Sequence, residues 1–294
     1  MSGASGLLGS ALGSSFASEG VEVIRLTRGQ PRDKTELRWS PMVPNAGLDQ
    51  AAVSGFDAVV HLAGETVVGR WTEAKKKAIR ESRVISTRNL SSILMKADLK
   101  PKIFACASAI GFYGDRGDGQ LTEKSTQGRG FLADVCEEWE AASRVAADAG
   151  IRTVNLRTGL VLSNKGGALG NMLTPFKLGL GGRLGSGRQW WSWIHIDDWV
   201  GGVRHAITAE AISGPLNLVA PETVRNAEFT KTLASVLRRP AILPVPEFGL
   251  QIAFGKEAAR EMFLASQRVS PQKLEESGYR FQHSELRGAI ESLV

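Results

Sequence analysis

Gly3-Ala4-Ser5-Gly6-Leu7-Leu8-Gly9 opens the chain, and its glycines recur every third residue. The stretch reads as a glycine-rich loop running straight into a helix over Leu7–Ser18. Such a loop lets backbone N–H groups approach a pyrophosphate, and the helix N-terminus adds the positive end of its dipole. A loop of this kind follows a strand, and here only Met1-Ser2 precedes it. Taken alone the spacing also fits a flexible glycine start before an ordinary helix, because short motifs match by accident. The remainder of the chain decides between the two.

Val- and Ile-rich apolar runs alternate with longer helical stretches, the pattern of a parallel sheet covered on both faces. Strands are expected at Val21–Thr27, Ala58–Ala63, Lys102–Ser108 and Arg152–Arg157. Long helices are expected over Thr72–Ala97 and over Phe131–Ala149, the latter stopped by Gly150. The fold class is therefore α/β, a doubly wound parallel sheet of Rossmann type, with a first strand missing in front of Gly3. That strand belongs in the middle of the sheet, between the Val21 and Ala58 strands. Its absence would leave backbone groups unpaired on both sides, so the natural chain is expected to begin several residues earlier. From Gly159 the pattern loosens into glycine-rich loops around one short helix, and Pro240–Pro246 is a proline-punctuated connection. The expected division is a nucleotide domain over residues 1–160, to which 193–220 returns. A smaller substrate-side region takes 161–192 and 221–294, with a helical C-terminal domain from about residue 245.

Composition narrows the function classes. With 43% hydrophobic and 22% charged residues the chain reads as soluble and globular. No run approaches the roughly eighteen apolar residues of a membrane span. Two cysteines, Cys106 and Cys136, build no disulfide framework, which points to a reducing cytoplasm. The net charge of +6 is spread out, and Lys75-Lys76-Lys77 reads as a solvated helix face rather than a nucleic-acid contact. The expected partner is a small molecule, with no nucleic acid, membrane or metal.

Strand ends supply the candidate site. Val21–Thr27 ends about twenty residues past the glycines, where an acid favours a ribose 2′-hydroxyl and an arginine a 2′-phosphate. Thr27-Arg28 stands there, which suggests NADP, although a strand-end arginine also serves as a plain surface charge. The next strand ends in Leu62-Ala63-Gly64, followed by Glu65 as a candidate base or helix cap. The third ends Ala107-Ser108-Ala109-Ile110-Gly111-Phe112-Tyr113-Gly114, placing a hydroxyl and a phenol at the expected mouth.

Together these segments resemble the extended short-chain dehydrogenase/reductase superfamily, and within it the atypical NADP-binding epimerase-family branch that ends in a characteristic C-terminal domain. The resemblance runs through Gly3 to Gly9, Leu62-Ala63-Gly64-Glu65, Arg70-Trp71-Thr72 with Ser82-Arg83, Ser108 to Gly114 and Trp139-Glu140-Ala141-Ala142. It continues through Leu156 to Leu162, Trp193-Ile194-His195-Ile196-Asp197-Asp198 and the branch-specific Ser266-Gln267-Arg268-Val269-Ser270-Pro271-Gln272-Lys273-Leu274. It implies NADP held by Gly3, Ser5, Gly6, Leu7 and Leu8 at the pyrophosphate, Thr27 and Arg28 at the 2′-phosphate, and Leu62 and Ala63 along the adenosine. Arg83 and Arg157 match arginines associated with the cofactor in this branch. A guanidinium fork suits carboxylate as well as phosphate, so Arg83 also fits a surface cap and Arg157 a pair with Glu140.

One departure bears on mechanism. The superfamily uses a Tyr, with a Lys four residues later, on the helix after the third strand. Here Leu132 and Cys136 stand at those positions; a shift by one gives Phe131 and Val135. Neither register supplies a phenol or an amine, so a proton donor is sought among Ser108, Tyr113 and Glu65. His195 reads as a hydrogen-bonded structural histidine and Cys136 as inert packing. Trp190, Trp191 and Trp193 read as core or as the wall of a substrate cavity. The expected function is an NADP-dependent oxidoreductase or epimerase acting on an unidentified small molecule. The alternative is a non-catalytic NADP-sensing or scaffold protein.

Overall fold

The computed structural model describes residues 1–294. The elements are α1 (Leu7–Ser18), β1 (Arg25–Thr27), β2 (Glu36–Arg38), β3 (Ala58–His61), α2 (Glu73–Lys96), β4 (Ile103–Ala109), β5 (Gln120–Leu121) and α3 (Phe131–Asp148). They continue as β6 (Arg152–Thr158), β7 (Leu160–Leu162), α4 (Gly167–Lys177), β8 (Trp190–Trp191), β9 (Trp193–His195), α5 (Ile196–Thr208), β10 (Gly214–Leu218), β11 (Val224–Arg225) and α6 (Asn226–Leu237). Last come α7 (Glu247–Phe254), α8 (Lys256–Ala259), a π-helical turn over Arg260–Leu264, β12 (Arg268–Val269), α9 (Gln272–Glu276) and α10 (Leu286–Glu291).

Strands β3, β4, β6 and β10 form one parallel sheet in the order β10-β6-β4-β3, with Ser108 opposite Arg157 in the register. Alternation along these strands sends Val60, Ile103, Ala105, Val154 and Leu156 toward α1 and α5, where Leu12, Trp199 and Val203 meet them. It sends Val59, Phe104 and Cys106 to the opposite face, against Leu90, Leu94 and Trp139 of α2 and α3. Helices on both faces make the doubly wound arrangement that the sequence pattern predicts.

Beyond β3 the sheet continues only through Met1 and Ser2. Ser2 bridges His61 in parallel and donates its amide to Val60 O at 3.0 Å, while Leu26 donates to Met1 O at 2.8 Å. The separate parallel pair β1-β2 hangs on this short link. The strand expected at Val21–Thr27 accordingly contracts to Arg25–Thr27, and Val21 is exposed, because residues 21–24 meet no full partner strand.

After Gly159 the structure is more regular than the sequence pattern implies. Helix α5 buries Trp199, Val200, Val203 and Ala206, and β10 closes the sheet edge. A second core gathers α4, α6 and α10 around Trp193: Leu169, Leu173, Phe176, Phe229, Leu233 and Ile290 pack there. No helix is long and apolar enough to cross a membrane.

Candidate functional site

Close approach explains the glycine loop. A Cβ at Gly3, whose φ is +67°, would stand 2.7 Å from the carbonyl carbon of Leu62, and one at Gly9 would stand 2.2 Å from Gly3 O. Helix α1 starts at Gly6 with no side-chain cap. The amides of Ser5, Leu7 and Leu8 find no acceptor within the protein. Donors left free at a helix N-terminus are what an anionic group binds.

The neighbouring backbone is propped from beneath. Ser2 Oγ accepts from the amides of Leu62 and Ala63 at 3.1 and 3.3 Å, and lies 2.6 Å from His61 Nδ1. His61 Nε2 lies 3.2 Å from Ser86 Oγ, which donates to Ser82 O at 2.5 Å. The pattern assigns the imidazole proton to Nε2. Complete burial holds the His61 imidazole neutral, its pKa pushed down to about 3. Nothing in the sequence singles out Ser2, His61 or Ser86, because the chain of contacts spans three elements.

Cations gather beside the loop. Arg28 is exposed at the end of β1 and joins no ion pair, and Thr27 Oγ1 accepts from Gly29 N at 3.3 Å. Half-buried Arg83 donates Nη1 to Glu65 O and Ile79 O at 2.9 and 3.1 Å and stacks 5.0 Å over Trp139. No carboxylate pairs with it, and burial pushes its guanidinium below the ordinary value. Gly64 lets it approach, since a Cβ there would sit 3.3 Å from Arg83 Cζ. Glu65 is the single carboxylate in this group. The Lys75 ammonium, bonded at 2.6 Å, holds it below the usual carboxylate range, with Arg83 and Arg28 adding to the effect. It is an ionised partner of cations, a poor base.

Ser108 and Tyr113 do not join that mouth. Ser108 Oγ donates to Glu140 Oε1 at 2.7 Å, and Arg157 grips Glu140 with Nε at 2.7 Å and Nη2 at 2.8 Å. Arg157 Nη1 donates to Tyr113 Oη at 3.0 Å, and that hydroxyl donates to Asn217 Oδ1 at 2.7 Å. All five residues are buried. Burial raises the Tyr113 phenol, and the Phe112 ring lies 3.5 Å beneath Arg157 Cζ. The expectation of one cluster of Ser108, Tyr113 and Glu65 is therefore corrected: the first two belong to a buried polar network, the third to a half-buried ion pair. Arg157 likewise commits three of its N–H donors to Glu140 and Tyr113.

The two positions of the missing dyad face the end of β4. A Cβ on Gly111 would meet Leu132 Cβ at 3.3 Å and Cys136 Sγ at 3.8 Å. Burial pushes the Cys136 thiol up to about 12, which keeps it protonated at neutral pH. His195 caps α5, its Nδ1 accepting from Asp197 N at 3.1 Å, while Nε2 meets Ser292 Oγ at 3.2 Å. Trp193 is fully buried core, whereas Trp190 and Trp191 are half-buried. The open groove of about 650 Å³ between α3 and the β6–β10 edge shares no residue with the glycine loop and has Glu140 and Arg157 of the buried network in its lining.

Residues 1–218 match the NAD dependent epimerase/dehydratase family. The chain belongs to that family. Residues 245–293 match a C-terminal domain of unknown function. Epimerase family protein Mb2239 of Mycobacterium bovis is 40% identical over 291 residues, 99% of this chain and 95% of the relative. Human epimerase family protein SDR39U1 is 36% identical, covering 99% of this chain and 98% of its own. The crystal structure of human SDR39U1 isoform 2 with NADPH superposes with a TM-score of 0.91 at 34% identity, over 99% of this chain and 97% of that one.

Proposed function

We propose that this family member binds NADP along its glycine loop and acts as an NADP-dependent oxidoreductase or epimerase on a small molecule. The observation that carries the reading is the set of free amides at Ser5, Leu7 and Leu8, flanked by Arg28 and Arg83 with no carboxylate partner. Free amides, with arginines that form no salt bridge beside them, suit a phosphate-bearing ligand. Arg28 suits the 2′-phosphate, Thr27 stands beside it, and Leu62 and Ala63 line the adenosine path. The human relative was crystallised with NADPH, which agrees with this choice. When bound, the cofactor would supply hydride exchange at its nicotinamide. The protein's part is to hold the pyrophosphate on α1, neutralise the phosphates and exclude water. The two buried, unpaired cysteines fit a reducing cytoplasm.

A second reading has its own support. Leu132 carries no proton to give, burial makes the Cys136 thiol a very weak acid, and the hydroxyls of Ser108 and Tyr113 are buried and bonded to Glu140 and Asn217. A protein so built can bind the dinucleotide as a sensor or scaffold without turning it over; as an enzyme it must draw the proton from water or substrate. Fluorescence titration with NADPH, followed by a screen of carbonyl compounds and nucleotide sugars for loss of nicotinamide absorbance, separates the two. Binding with turnover supports the enzyme. Binding without turnover throughout the screen supports the sensor, and no binding overturns both.

A further inference from the structure

Helix α3 begins at Gly130, which offers no side chain to its first amides. The cap arrives from far along the chain. Glu261, in the π-helical turn, accepts from Phe131 N at 2.9 Å with one carboxylate oxygen and from Leu132 N at 2.8 Å with the other. Gly130 has φ +120°, and a Cβ there would lie 2.8 Å from the Glu261 carboxyl carbon, so position 130 is shaped to admit that carboxylate.

Two more contacts tie the same segment to the nucleotide fold. Lys76 on α2 donates to both carboxylate oxygens of Glu257 at 2.9 Å and lies 4.9 Å over the Phe131 ring. Arg70 Nη1 donates to Ile252 O at 3.2 Å. Arg70, Lys76 and the start of α3 all lie where the chain has left the carboxyl ends of β3 and β4, the side on which a dinucleotide fold opens. The attachment is thin. Across 247–264 only Leu250, Ala258 and Ala259 are buried, Phe248 and Ile252 are exposed, and Gly255 at φ +87° joins α7 to α8. Few buried apolar contacts and a polar latch describe a unit that opens well before the sheet unfolds.

We propose that residues 247–264 are a lid latched over the mouth of the nucleotide fold by Glu261, and that its opening gates exchange of a small molecule at the glycine-loop site. The gating half rests on the dinucleotide reading above. Glu261 is a positioning residue: closing the lid completes the N-terminus of α3 beside Leu132, the position at which relatives with the dyad carry their phenol.

Hydrogen exchange on the full chain, with and without NADPH, tests the latch, and stopped-flow NADPH release tests the gate. Charge-assisted bonds of this kind predict that Glu261→Ala speeds exchange at Phe131, Leu132 and throughout 247–264 by about tenfold. NADPH release should accelerate in step. Glu261→Gln, which keeps one acceptor oxygen, should fall between; it carries the comparison alone if the alanine variant does not fold. Faster exchange confined to Phe131 and Leu132 would reduce Glu261 to a local cap and overturn the lid. An opened lid with unchanged NADPH release would overturn the gate. Absence of NADPH binding in the parent protein would instead sink the dinucleotide reading, and the exchange comparison would still decide the latch.

Discussion

At the ends of β1 and β3 the polar groups are left open, whereas at the ends of β4 and β6 they consume one another. Around the glycine loop three amides lack acceptors and two arginines lack carboxylates. On the neighbouring strands β4 and β6 and the elements packed on them, Ser108, Tyr113, Glu140, Arg157 and Asn217 bond among themselves and are buried. Both regions hold arginine, carboxylate and hydroxyl groups at strand ends. Residue type therefore does not distinguish a ligand site from a structural network; the distinction is whether the protein has already satisfied the group.

The buried network should show the largest effect. Removing one member of a buried ion pair strands its partner, so Glu140→Ala should lower unfolding free energy by about 3–5 kcal/mol in urea titration. A loss under about 1 kcal/mol, the scale of an exposed pair, would break the contrast. The open region should respond in binding. Arg28→Ala is expected to weaken NADPH by roughly tenfold or more, from the loss of charge-assisted contacts worth about 1.5–3 kcal/mol. NADH should change little, and calorimetry with both nucleotides checks this. Equal losses would remove Arg28 as the discriminator.

The buried prop beneath the loop predicts an acid dependence. His61 titrates at about 3 in the fold and near 6.5 when unfolded, so the unfolded chain takes the proton first. Its contribution is complete above about pH 6.5 and is lost as pH falls toward 3, by about 1.4 kcal/mol per unit. Between pH 6.5 and 5 that amounts to about 2 kcal/mol, and His61→Asn should flatten this part of the urea-midpoint profile. An unchanged profile would mean that other groups set it. The smallest effect belongs to Tyr113→Phe, which deletes the bonds to Arg157 and Asn217 and should cost about 1–2 kcal/mol of stability without moving NADPH affinity. A marked loss of NADPH affinity would place the phenol in the open region after all.

Most of the nucleotide fold was legible in the sequence. Glycine spacing, two long helices and Val- and Ile-rich runs identified the loop, α2, α3, β3, β4 and β6 to within a few residues, because periodicity and glycine conformational freedom are local properties. The region after Gly159 was not, since the apolar face of α5 and the short strand β10 are interrupted by glycines and acquire meaning only against their neighbours. The family resemblance offered Gly3, Leu62 and Ala63 as cofactor contacts, and the structure sets Gly3 against the Leu62–Ala63 backbone. The fate of Arg157 could not: the chain offered phosphate and Glu140 as equal partners, and proximity across β6 and α3 chose the carboxylate. Contacts such as Ser2 with His61 and Ser86, or Glu261 on the amides of α3, join residues 25 to 130 positions apart. Sequence by itself determined which elements form and where the glycine loop lies. Tertiary structure decided which polar groups remain free to bind, because a hydrogen bond depends on what stands within about 3 Å, and that is set by packing rather than by order along the chain.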